Sequence, residues 1–200
     1  MTTLNYDKIL SATVDGEKIK YGILFGNEKI FFIKAGTGGK IQGHQDKYLK
    51  MAHRVRDRIG ATVICASNGY ANPKEQLRAD KFLIKNVMTD HGFESYELYF
   101  VGNSDGGDHS LKLAQQFPQT VAFLGINSSW GSTDTFLERI QSLPRVKKIF
   151  VYGANDIDFD NIVPKLKTLE CDNLEIIVLD GVDHDFTGKV DDFIALSDLL

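Results

Sequence analysis

The 200-residue chain holds little cysteine, proline or tryptophan: two, four and one residues. Two isolated cysteines, Cys65 and Cys171, cannot build a disulfide scaffold, and neither has metal-ligand spacing, so no metal or other cofactor is expected. Cys65 lies inside the apolar run 61–66, where a buried core thiol is expected, and Cys171 lies near a helix end. Few prolines, no low-complexity stretch and no internal repeat leave no sign of a boundary, and a single domain over residues 1–200 is expected. A cationic excess is also missing. The net charge is −4 with no basic block, which leaves no electrostatic footprint for nucleic acid and argues against a membrane-surface role. No apolar run is long enough to span a bilayer, and residues 1–8 contain no signal-peptide core, so a cytoplasmic location is the expectation. The composition is otherwise that of a globular protein, 42% hydrophobic and 25% charged, in a chain long enough for a large core.

Residues 9–14 and 17–25 read as strands joined at Asp15-Gly16, a strong short hairpin signal. A turn at Asn27-Glu28 leads into a buried strand over 29–34, so the chain opens with an antiparallel meander. Then the rhythm changes. A glycine-rich loop, Ala35-Gly36-Thr37-Gly38-Gly39, is followed by a helix over about 44–59 that Gly60 stops. Next come a strand over 61–66 and a helix from Pro73 to about His91, with Leu77, Phe82, Leu83 and Val87 on its apolar side. Further strands are expected over 97–103, 120–127, 147–152 and 174–179, alternating with helices after Ser104 and over about 133–142, 160–169 and 190–199. Strands that alternate with helices imply parallel crossovers and helices on both faces of the sheet. The apolar strands lack a two-residue alternation, as a sheet buried on both faces requires. Ligands of such sheets sit beyond the carboxyl ends of the strands, so each loop after a strand is a place for chemistry.

One such loop stands out. The strand-type run Glu97–Val101 ends in Gly102-Asn103-Ser104-Asp105-Gly106-Gly107, and a helical pattern follows at once, with Leu111, Leu113, Ala114 and Phe117 on one face. A serine between a strand end and a helix start must turn sharply, and the turn pushes its hydroxyl out at the top of the sheet. Gly102 and Gly106 fit such a turn, because a Cβ at either place would collide with the neighbouring strand or helix. The Asp105 N–H, at a helix N-terminus, would point at an oxygen the serine creates.

This Gly-x-Ser-x-Gly stretch resembles the nucleophile elbow of the α/β-hydrolase family. The order of elements, from about residue 9 to residue 199, is also similar to that family's core. The resemblance implies an α/β-hydrolase fold: a mostly parallel central sheet, an antiparallel N-terminal meander and helices on both faces. It also implies a histidine between the last strand and the last helix, which is where His184 stands in Asp183-His184-Asp185, among five histidines in all. The family's acid follows the preceding strand, three residues after a glycine, which selects Asp156 after Gly153 over its runner-up Asp158. Asp160 is assigned to capping the next helix. The order Ser104, Asp156, His184 is that of the fold's nucleophile, acid and base.

An oxyanion hole needs two donors: the Asp105 amide and, from the glycine-rich loop, the amide of Thr37 or Gly38. The family often has a His-Gly pair in that loop, where this chain has Ala35-Gly36. A phosphate-cradling reading of Gly36–Lys40 lacks the required spacing, and Lys40 is not followed by Ser or Thr. For His44, Gln45 and His109 a polar helix face is preferred to a place at the pocket rim, and Trp130 is a pocket wall or a core cover. Only residues 131–145 are available where many family members insert a cap domain, so an open, shallow pocket is expected. The resemblance thus implies a serine hydrolase acting on a small ester, thioester or similar small-molecule acyl substrate through an acyl-enzyme. Acyl transfer by the same residues, and a non-catalytic binding protein that keeps the fold, are the alternatives. A plain nucleotide-binding fold fits worse, because it gives the three residues no shared purpose.

Overall fold

The computed structural model describes residues 4–128 and 133–200; Trp130 lies outside the described residues. Its strands are β1 (Lys8–Val14), β2 (Glu17–Leu24), β3 (Asn27–Lys34), β4 (Ala61–Ala66), β5 (Glu97–Asn103), β6 (Thr120–Ile126), β7 (Lys147–Asn155) and β8 (Leu174–Asp183). The helices are α1 (Lys47–Ile59), α2 (Pro73–Asp90), α3 (Asp105–Ala114), α4 (Thr133–Gln141), α5 (Phe159–Lys167) and α6 (Val190–Ala195). No described helix is long and apolar enough to cross a membrane.

The strands form one sheet in the order β1-β2-β4-β3-β5-β6-β7-β8. The β1–β2 hairpin turns at Asp15 and Gly16, both at positive φ, the conformation that matches the twist of two-residue hairpins. The expected meander is antiparallel in this first pair, but β3 does not continue it. β4 pairs antiparallel with β2 and parallel with β3, so it lies between them. All six residues of β4 are buried, and a strand without a polar edge needs partners on both sides. β3, β5, β6, β7 and β8 then run parallel.

Two layers of core cover the sheet. In β3, Ile30 and Phe32 pack on the layer shared with α2, α3, α4 and α5, while Phe31 and Ile33 pack on the layer shared with α1 and α6. Helix spacing fits each layer: Tyr48, Met51, Ala52 and Val55 bury one face of α1, which ends at Gly60 in the left-handed conformation. α2 starts with Pro73 behind Asn72, whose side chain accepts the Lys74 N–H at 2.9 Å. Its buried face is Leu83, Ile84, Val87 and Met88. Phe82, expected among them, is exposed because it stands one position off that stripe. β7 and β8 run three and four residues past their expected ends. Asn155 pairs with Asp183 beyond an irregularity at Gly153, so polar residues that read as loop are held in register as strand.

Candidate active site

Ser104 is the residue after β5 and the N-cap of α3, at φ 54° and ψ −131°. A non-glycine residue in that region costs about 1–3 kcal/mol, which its surroundings must hold in place. The Ser104 N–H donates to Ile126 O at 2.9 Å, and Gly107 N–H donates to Ser104 O at 2.9 Å. The helix start is pressed onto the strands. A Cβ at Gly106 would collide with the carbonyls of Lys34 and Ala35, and one at Gly102 with the Gly106 carbonyl.

Two and three strands away, β7 and β8 deliver Asp156 and His184, each directly after its strand's last residue. His184 Nδ1 lies 2.6 Å from Asp156 Oδ2, and Nε2 lies 3.0 Å from Ser104 Oγ. The Asp156 side chain has no exposed surface, and its other oxygen accepts the Asp158 N–H at 2.8 Å. A carboxylate only accepts, so Nδ1 carries the ring proton and Nε2 presents its lone pair to the serine hydroxyl. The hydrogen bond to Asp156 raises the His184 pKa above its ordinary 6.5, against the opposing effect of burial. Of the two candidate acids, the structure therefore brings Asp156 to the histidine. Asp158 is instead the N-cap position of α5, without a side-chain cap bond. The capping role expected of Asp160 is corrected: Asp160 lies exposed inside the first turn. The Phe159 N–H bonds back to Asp156 O, and this turn starts the helix earlier.

Asn127 was not singled out by sequence reasoning. It follows the last residue of β6, is buried, and takes φ 42°, which asparagine tolerates better than most residues. Its Nδ2 donates to Asp183 O at 3.1 Å and His184 O at 3.0 Å, and its Oδ1 accepts the Gly153 N–H at 2.9 Å. One side chain thus ties the loop of His184 to β7, the strand that Asp156 follows. The only available signal was an asparagine closing an apolar strand.

No protein-family model matches the chain, and no curated protein matches it in sequence. Solved structures do resemble it. An α/β serine hydrolase homologue from Coxiella burnetii superposes with a TM-score of 0.73 at 15% identity, covering 98% of each chain. XC6422 from Xanthomonas campestris, an α/β serine hydrolase without a lid, gives 0.71 at 17% identity, over 97% of this chain and 93% of the other. Est1E from Butyrivibrio proteoclasticus gives 0.66 at 14% identity, over 96% of this chain and 99% of the other. The fold is that of the α/β hydrolases.

In this α/β-hydrolase fold the loop after β3 runs against Ser104: a Cβ on Gly36 would stand 3.0 Å from Ser104 Cβ. The loop is closed by the Gly39 N–H donating to Gly36 O at 2.9 Å. Among the described residues, no acceptor takes the amides of Thr37, Gly38 or Asp105. No helix follows this loop directly, since a 3-10 turn (His44–Asp46) precedes α1, which counts against a phosphate cradle.

His109 corrects its expected place on a polar helix face. It is buried, with Nε2 2.7 Å from Asp80 Oδ2. Asp80 also accepts from Lys34 Nζ at 2.8 Å and from the Tyr21 hydroxyl at 2.8 Å. Burial alone would raise the Asp80 pKa, but Lys34 and His109 hold it down at about 2. Burial, followed by the Lys34 charge, lowers that of His109. This network joins the end of β3, two residues before Gly36, to α2 and α3, so it anchors the loop and the elbow together.

Ser104 and His184 open into a cleft of about 510 Å³ lined also by Thr37, Gly38, His44 and Tyr48, among others. His44 is thus at the rim rather than on a helix face, because the 3-10 turn carries it there; Gln45 Nε2 donates to its ring at 3.2 Å. A groove of about 540 Å³ between β1 and α2 contains no histidine or cysteine and shares no lining residue with this cleft. Among the described residues, no cluster of His, Cys, Asp and Glu is placed to hold a metal ion.

Proposed function

We propose that the protein is a serine hydrolase of small esters, thioesters or similar acyl substrates. The observation that carries the reading is the continuous contact from Asp156 through His184 to Ser104, at 2.6 and 3.0 Å. A serine hydroxyl is a weak nucleophile until a base takes its proton, and a base so placed is worth about 10²–10⁴ in rate. Ser104 Oγ attacks the acyl carbonyl while His184 Nε2 accepts its proton. Asp156 holds the tautomer and stabilises the imidazolium. The Asp105 amide, with that of Thr37 or Gly38, binds the oxyanion, each donor being worth about 2.7–4 kcal/mol in the transition state. His184 then protonates the leaving group. In the second half-reaction it deprotonates the water that releases the acyl group from Ser104.

The likeness in fold to serine hydrolases and an esterase supports this reading. The absence of a lid in XC6422 fits the short connection between β6 and β7 and an open cleft for a small substrate. Replacing Ser104 with Ala tests it: hydrolysis of p-nitrophenyl acetate should vanish while the melting temperature is retained. A fluorophosphonate should label Ser104 in the native protein. Activity that survives the substitution, or folded protein that escapes the label, would end the enzyme reading in favour of a binding protein.

A further inference from the structure

Resting on that reading, we propose that the substrate carries a carboxylate and that Lys47 binds it. Lys47 is the first residue of α1 and lines the same cleft as Ser104 and His184. It is only 4% exposed. Its ammonium sits 4.4 Å from the centre of the Phe193 ring and 5.5 Å from that of Tyr48. Among the described residues, no carboxylate comes within 4.0 Å of it and no acceptor takes a hydrogen bond from it.

An ammonium withdrawn from water is costly unless it is paired. Two aromatic faces recover part of that cost, because a cation over a ring is attracted by its quadrupole. They supply no counter-charge. Asp185 and Asp183 act on Lys47 only from beyond ion-pair distance, and the Asp183 carboxylate already accepts the Thr187 N–H at 2.8 Å. The lysine is held by packing, faces the cleft and has no anion of its own. A single carboxylate on the acyl or alcohol part of an ester would complete it. Lys40, also on the cleft, adds charge of the same sign.

The test compares p-nitrophenyl hexanoate with mono-p-nitrophenyl adipate, which have chains of equal length ending in methyl or carboxylate. The native protein should favour the adipate in kcat/KM by about tenfold or more, the usual worth of a charge-assisted contact. Lys47→Met should abolish that preference, and Lys47→Arg should restore part of it. A binding measurement separates this proposal from the hydrolase reading: Ser104→Ala protein titrated with monomethyl adipate and with dimethyl adipate. Tighter binding of the monoester by about tenfold supports the lysine site even if neither p-nitrophenyl ester is turned over. Equal binding of the two overturns it, whatever the activity and whether or not the Lys47 variants fold. If Lys47 served only as a counter-charge to Asp185, the Met variant would change both p-nitrophenyl esters alike, which would also overturn the proposal.

Discussion

Asp156→Asn and Asp158→Asn form a paired test of the relay. The Asp156 carboxylate uses one oxygen on His184 and the other on the Asp158 N–H. An asparagine can keep the second contact with its carbonyl oxygen. Its NH₂ then faces His184 Nδ1 and drives the ring proton to Nε2, so that an N–H meets the serine where a lone pair is needed. In a fully shielded relay such a tautomer error costs about 10⁴ in kcat, or about 5 kcal/mol. His184 retains 25% of its side-chain exposure, so water screens part of the effect and a loss of about 10³ is expected. Asp158 touches His184 through no hydrogen bond, and its replacement should leave kcat within about threefold.

The pH profile adds an independent reading of the same pair. In the proposed mechanism His184 must be neutral to accept a proton, so activity should fall as pH falls. Its pKa is raised by the bond to Asp156, which puts the midpoint of the acidic limb of kcat/KM above 6.5. In Asp156→Asn the limb should move to lower pH. Initial rates with p-nitrophenyl acetate across the acidic and neutral range measure both effects. An Asp156→Asn enzyme within tenfold of the native rate, with its limb unmoved, would refute the relay; an equal loss in Asp158→Asn would move the acid to that residue.

Asn127→Ala removes three hydrogen bonds, each worth about 1 kcal/mol, and leaves alanine at positive φ, for a total of about 3–4 kcal/mol by urea unfolding. Its kcat should drop more than KM rises, because it aims His184 and does not touch substrate. Asp80→Ala strands the Lys34 ammonium in the core and should cost about 3–5 kcal/mol, lowering the melting temperature by about 10 °C. In the native protein Asp80 and His109 both have lowered pKa values, so each stabilises the fold above its unfolded pKa and loses that contribution as pH falls. Acid unfolding should therefore begin below 6.5 through His109 and steepen below 3.8, where Asp80 titrates towards about 2.

Much of this was legible because it is local. The change from strand residues to Gly102-Asn103-Ser104-Asp105-Gly106 and then to helical spacing marks the elbow without any distant partner. Gly60, Pro73 and Asp15-Gly16 mark boundaries through their own backbone preferences. The misses are pairings across the chain. His109 reads as a helix-face residue until Asp80, 29 positions earlier, is brought beside it. Asn127 reads as the end of a strand until His184, 57 positions later, meets its amide. Lys47 reads as an ordinary charged residue in an amphipathic helix, because only the packing of α6 against α1 puts Phe193 under its ammonium. The place of β4 between β2 and β3 is of the same kind, since strand order is a property of edges that no single strand contains.

The register of the sheet accounts for the accuracy of the site. Ser104, Asn127, Asp156 and His184 each follow the last residue of β5, β6, β7 and β8 in turn, and Ala35 follows that of β3. Pairings such as Asn103 with Ile126 and Asn155 with Asp183 fix those strand ends against one another. A slip of one residue in a strand would turn its side chains to the opposite face, so the packed layers on the largely buried β5, β6 and β7 hold one register, and β8 is set by its ladder with β7. The same apolar packing that selects one register therefore also sets where each polar side chain leaves the sheet. Residues so placed inherit the rigidity of the core, and the loops beyond them need only make the turn. The extra length of β7 and β8 belongs to this logic. If those strands stopped at Tyr152 and Leu179, Asp156 and His184 would sit four and five residues out on loops, where separations of 2.6 and 3.0 Å would have to be held without a ladder beneath them.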